Sequence, residues 1–126
     1  MSTSEGRQAL DEIAGHWALH DGTICAFAIQ TVAGVGVVID ITCVPRPGSP
    51  VAELRLRLNG VTRFDLGWDA GSAFYFVPGY TAFILESGSV YLSLDPYDDR
   101  AEAPDSQDAG VIEARRIHAE FVMKQT

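Results

Sequence analysis

Cysteine and histidine are scarce in this chain, and the spacings that would make them chemical are missing. Two Cys and three His are spread over 126 residues. There is no C-x-x-C pair and no H-E-x-x-H, so neither a zinc knuckle nor a zinc-protease helix can be built. His16 and His20 are four apart, but Gly15 and the His20-Asp21-Gly22 turn break the helix that would align them. The chain also lacks a G-x-S-x-G elbow, a phosphate loop and a G-x-G-x-x-G after a strand, which removes the usual signatures of acyl transfer and nucleotide binding. Gly34-Val35-Gly36 has no third glycine and no following helix. No apolar run reaches the ~18 residues of a membrane span, and MSTSEGRQAL has no signal-peptide core. The expectation is a cytoplasmic protein with no membrane partner. Positive charge is short as well: nine Lys and Arg stand against seventeen Asp and Glu, a net charge of −8. That balance disfavours nucleic acid as a partner.

What is present is a set of β-type runs in a chain sized for one domain, residues 1–126, able to bury roughly two-thirds of its extended surface. The clearest stretch is VAELRLRLNGVTRFDLGW at 51–68, two alternating runs meeting at Asn59-Gly60. Asn-Gly between such runs is the strongest short-range hairpin signal. A two-residue loop would set Leu56 opposite Arg63. A three-residue loop with Gly60 left-handed pairs Leu58 with Thr62, Leu56 with Phe64, Leu54 with Leu66 and Ala52 with Trp68, and leaves Arg55 facing Asp65 outside. The latter register is the one expected.

Elsewhere, Ser4 followed by EGRQALDEIAGHW reads as a capped helix with Leu10, Ile13, Ala14 and Trp17 on one face, ended or weakened by Gly15. TICAFAIQT and VGVVIDITCV form a hairpin if centred on Gly34, which would make Cys25 and Cys43 cross-strand neighbours. Both are expected to be buried and reduced, as thiols in cytoplasmic proteins usually are. PRPGSP at 45–50 must be loop. DAGS at 69–72 is a turn and AFYFV at 73–77 a short strand. YTAFILE and SVYLSLD meet at Ser87-Gly88, where a two-residue loop pairs Leu85 with Val90, Phe83 with Leu92 and Thr81 with Leu94. Residues 95–108 are polar and Pro-containing, a long surface loop. GVIEARRIHAEFVMK fits helical periodicity better than strand alternation. The sum is a mainly β fold of about seven antiparallel strands, a sandwich or a curved sheet, with an N-terminal helix and a C-terminal strand or helix.

The charge is uneven, and it supplies the candidate sites. Between Asp95 and Asp108 six acids face Arg100 alone. Asp95, Asp98 and Asp99, with Asp105 and Asp108 further on, cluster oxygens as hard cations require, but their spacing does not match a calcium loop, so no metal and no cofactor is expected. With Tyr97 they form an acidic docking edge for a basic protein. Arg55, Arg57 and Arg63 point away from the core in the expected register, either as a solvated face or as a docking face for an acidic partner or for the acidic loop itself.

WALHDGTI, a hairpin ending in YLSLDPYDD and a downstream D-x-G-V-I-E-A resemble small bacterial β-rich domains of unknown function, some of which look like immunity proteins encoded beside secreted toxins. The resemblance covers about half the chain and carries over no catalytic residue. It implies that GVIEARRI is a final strand, against its periodicity. The functional expectation is a non-enzymatic binding module for a protein partner, of the immunity type. The alternative is a small-molecule binder or hydrolase with a pocket between sheet layers, lined by Trp68, Tyr75, Tyr80 or Tyr91.

Overall fold

The structure is a computed structural model describing residues 1–71 and 74–125. Along the chain run β1 (Ser2–Glu5), α1 (Gly6–Gly15), β2 (Gly22–Val32), β3 (Gly36–Val44), β4 (Val51–Asp65), β5 (Phe76–Val77), β6 (Thr81–Ile84), β7 (Val90–Asp95) and β8 (Ala109–Met123). Seven strands make one antiparallel sheet in the order β5-β2-β3-β4-β8-β7-β6, curled into a half-barrel. The eighth, β1, pairs with the C-terminal part of β8 along the edge whose N-terminal part is taken by β7. The expected mainly β fold is therefore present as the curved sheet, with the helix laid across its apolar face. Ala9, Leu10 and Ile13 of α1 join Ile39, Ile41, Leu54, Leu56, Leu58, Ile117 and Phe121 in one core.

The stretch around Asn59-Gly60 is not a hairpin. Residues 51–65 are a single strand that pairs with β3 along one edge and with β8 along the other. Gly60 does adopt the left-handed conformation, at φ +64°, but within a continuous strand and not at a turn. The ladder to β8 shifts by one residue just beyond it, between Val61 and Arg63. A hairpin would satisfy one edge of each half, whereas the continuous strand satisfies both edges over Leu54–Asn59 and places Leu54, Leu56 and Leu58 in the core. Long-range pairing thus overrides the local turn signal. Leu56 consequently faces Ile41 and Ala119 instead of Phe64, which is half exposed opposite Ile112. Arg55 lies between Thr42 and Glu120, and Asp65 opposite Val111, so these two are not neighbours.

The C-terminal stretch is the strand that the resemblance implied. Its burial alternates at Ile112 and Ala114, slips across Arg115 and Arg116, and resumes at Ile117, Ala119 and Phe121. A phase slip in a period of two imitates a period near 3.5, hence the helical reading. The slip sits beside Gly60, where a Cβ would come within 3.1 Å of the Arg115 side chain. Both long strands change face at the same point of the sheet, and only a glycine lets them approach there.

The β2–β3 hairpin is centred on Gly34 as expected from Ala26/Thr42 to Val32/Gly36. A bulge at Cys25 then sets Ile24, not Cys25, opposite Cys43. Cys25 is exposed and Cys43 buried, which corrects the expectation that both are inside; both are free thiols. The β6–β7 pair is displaced by one residue from the expected register. Ile84 faces Val90 and Phe83 stacks on Tyr91 at 4.9 Å, because Leu85 and Ser89 close a three-residue loop with Gly88 at φ +90°.

Ser4 is not a cap: it is buried in β1, and the helix starts from Glu5 with no side-chain cap. Ala14 is exposed, and Trp17 lies beyond the helix with its ring 4.6 Å from the Arg46 guanidinium. Of the strand expected at 73–77 only Phe76–Val77 pairs, with Gly22 and Thr23. Ala73, like Ser72 in the turn before it, lies outside the described residues.

Candidate functional site

The open end of the half-barrel beyond β5 and β7 gathers most of the acidic candidates together with an aromatic cluster. Asp95 ends β7, and Pro96–Asp108 returns the chain to the start of β8. This loop is held by its own carboxylates. Asp98 accepts the Arg100 N–H at 3.0 Å and Asp105 the Gln107 N–H at 2.8 Å, each a side-chain turn over two residues. Asp108 does more. Its carboxylate accepts the Tyr97 N–H at 2.9 Å, the Asp105 N–H at 3.0 Å and the Tyr91 hydroxyl at 2.6 Å. Burial alone would raise its pKa, but these three donors together lower it below the ordinary carboxylate value. Tyr91 is correspondingly pushed up, by burial first and by Asp108 second.

Two hollows share this end. One, of about 570 Å³, is lined by Trp68, Asp69, Tyr75, Phe76, Leu94 and Asp95 among others. The other, of about 470 Å³, runs along Gly79, Asp95, Tyr97, Asp98, Asp99 and Arg100. Pro78 and Asp95 line both, so the two form a continuous surface. Gly79 permits the loop to close on this floor, since a Cβ there would stand 2.6 Å from Asp99 Oδ2.

The aromatic side is built on β2. Phe27 meets Phe74 and Tyr75 edge to face at 5.8 and 5.3 Å, and Phe74 meets Trp68 at 6.2 Å. Tyr75 is pinned twice, its carbonyl accepting the Ile24 N–H and its hydroxyl donating to the Gly67 carbonyl. Burial first, and then the Asp95 and Asp65 carboxylates, raise the pKa of its phenol. Trp68 is 54%, Phe76 51% and Tyr97 64% exposed, an unusual concentration of large rings at the surface.

Of the residues singled out in the sequence, Asp95, Tyr97, Asp98 and Asp99 meet here, while Asp105 stands behind them supporting the loop. The arginines do not join them. Arg55 pairs with Glu53 at 2.6 Å, Arg57 grips both oxygens of Asp40 at 2.7 and 3.0 Å, and Arg63 pairs with Glu113 at 2.9 Å. The face is therefore a mosaic of matched charges, and its pairs are exposed ones of small energetic weight. The aromatic candidates divide too. Trp68 and Tyr75 line the larger hollow, Tyr80 lines another beside Trp17 and His20, and Tyr91 is buried. The pocket is at the end of a single curled sheet, not between two layers.

Sequence reasoning missed Asp69, Phe76 and the organising role of Asp108. The Gly67-Trp68-Asp69 tripeptide was a visible signal, a large ring beside an acid within a turn. Among the described residues no group of three His, Cys, Asp or Glu side chains is arranged to hold a metal ion, and no helix is long and apolar enough to cross a membrane. No protein-family model matches the chain, and no curated protein or solved structure matches it.

Proposed function

We propose that the protein is a non-enzymatic binding module that docks a basic protein on the acidic, ring-bearing end of the half-barrel, in the manner of an immunity protein neutralising a toxin. The observation that carries this reading is the continuity of exposed Trp68, Phe76 and Tyr97 with the carboxylates of Asp95, Asp98 and Asp99 across one shared wall. Exposed Trp and Tyr are the residues in which interface energy concentrates, and a one-signed rim raises the rate at which an oppositely charged partner arrives. The arginine face supports this choice by default, because its guanidinium groups are already matched by Glu53, Asp40 and Glu113.

The test is capture of partners from the native host by the full chain, followed by association rates at increasing ionic strength. A basic partner whose association slows steeply with salt is the expected result. An acidic partner, or rates indifferent to salt, overturns the reading. A second reading, a small-molecule binder, is favoured by one observation, the 570 Å³ cleft at Trp68 and Tyr75. Turnover or tight binding of a small compound lost on substituting Trp68 would promote it.

A further inference from the structure

Trp17 and Asp21 hold an arginine of the same chain. The Arg46 guanidinium lies 4.6 Å from the centre of the Trp17 ring and 3.3 Å from the Asp21 carboxylate. A ring face and a carboxylate together satisfy the two ways a guanidinium binds, by stacking and by donated hydrogen bonds. The cleft at the open end repeats the pairing with Trp68 and Asp69, and adds Asp95 and the ring of Phe76. Among the described residues its lining contains two carboxylates and no Lys, Arg or His.

We infer that this cleft receives an arginine side chain of the protein partner, which completes at Trp68, Asp69 and Asp95 what Arg46 completes at Trp17 and Asp21. This rests on the docking reading above. Three features select this occupant. The side chains that line the cleft offer mainly acceptors: the carboxylates accept, and the one phenol, Tyr75, already gives its proton to the Gly67 carbonyl. An anion finds no cationic side chain among the described lining residues, whereas a group with several N–H donors finds two carboxylates. The exposed rings of Trp68 and Phe76 favour a planar, weakly hydrated cation over a compact, strongly hydrated ammonium. The cleft is open along one side, so a side chain enters while its backbone stays on the surface beside Tyr97 and Asp98.

The probe is N-acetyl-arginine amide, titrated at constant ionic strength into the full chain while the two tryptophan indole N–H signals are followed by NMR. Trp17→Phe identifies which signal is Trp68. The expected result is a saturable shift of the Trp68 signal with Kd on the order of millimolar, a usual strength for one side chain. The neutral isostere N-acetyl-citrulline amide should bind at least about ten-fold more weakly, and the Asp69→Asn, Asp95→Asn double variant should lose a similar factor with its spectrum otherwise folded. An unmoved Trp68 signal, equal response to citrulline, or indifference to the double variant overturns the inference. Equal binding of N-acetyl-lysine amide overturns the preference for guanidinium. If the cleft is silent while a basic partner still associates in a salt-dependent way, the docking reading stands and this inference falls. If the cleft binds the probe but no basic protein is captured, the docking reading falls and the site belongs to a small guanidinium compound.

Discussion

The hydroxyl of Tyr91, near the start of β7, donates a 2.6 Å hydrogen bond to Asp108, thirteen residues beyond the end of that strand. The bond fastens the far end of the acidic loop to the sheet, and the same carboxylate holds the backbone at Tyr97 and Asp105. The loop that carries the docking residues is thus tethered at one acid. Replacing Tyr91 by Phe should cost about 1–2 kcal/mol at neutral pH, since a buried charge-assisted bond is lost while its two backbone donors remain.

The pH dependence has a definite sign. A carboxylate whose folded pKa is depressed stabilises the chain above its ordinary value, 3.8, and that stability is lost as pH falls through the lowered value. The urea midpoints of wild type and Tyr91→Phe should therefore be well separated at neutral pH and draw together only as pH falls below 3.8 and the carboxyl is neutralised, where it holds the hydroxyl less strongly. A gap that widens on acidification would show that Asp108 is not the partner that matters.

Gly60→Ala tests the left-handed position just before the register shift. An alanine must enter the left-handed region at φ +64° and meet the Arg115 side chain at 3.1 Å, so a loss of about 1–2 kcal/mol is expected by chemical denaturation. Leu56→Ala, which empties a core position between Ile41 and Ala119, should cost about 2–5 kcal/mol, and Arg55→Ala under about 1 kcal/mol. A tolerated Gly60→Ala would contradict the left-handed conformation and the close approach of Arg115 at this position.

These positions also show how far the sequence could be read. Gly34, Gly60 and Gly88 all adopt positive φ, and each was visible as a turn signal. At Gly34 the flanking runs are each other's partners, so local reasoning gave the register residue by residue until the Cys25 bulge. At Gly60 they are not, because β3 and β8 compete for the same edges and win by pairing both. At Gly88 the turn is right and its length differs by one, enough to move Phe83 from opposite Leu92 to the face of Tyr91. The acidic loop was legible from composition. Its junction with Trp68 and Phe76 was not, since it depends on how the curled sheet brings residues 67–79 beside 95–100, a matter of tertiary closure.

The two thiols should differ sharply. Cys43 is buried and its pKa is pushed up to about 12, by burial and then by Cys25 nearby, so the thiolate that reacts is almost absent. Cys25 is exposed, its thiol resting on the Thr42 carbonyl at 3.4 Å. Labelling with an aromatic disulfide should titrate one thiol per folded chain quickly and the second only in denaturant. Two fast thiols would place Cys43 outside the core, and none after denaturation would mean a disulfide.

Charge reversal separates the two surfaces that the sequence offered as docking sites. Asp98 and Asp99 lie on the exposed edge of the loop beside Asp95 and Tyr97, with Arg100 as the loop's one basic residue. Asp98→Lys with Asp99→Lys changes the local charge by four, on a chain whose net charge is −8. At physiological salt such charges act over about 8 Å, so a basic partner approaching this end should feel nearly all of the change and one docking elsewhere little of it. Association should slow markedly, and salt should slow wild type toward the variant. Arg57→Gln removes a guanidinium that Asp40 already neutralises, and should leave association nearly unchanged. Asp98 gives up a side-chain turn to Arg100, so its own stability cost, about 0.5 kcal/mol, is measured separately and kept out of the comparison. If instead Arg57→Gln slows association and reversal at Asp98 and Asp99 does not, the arginine face is the docking surface and the partner is acidic.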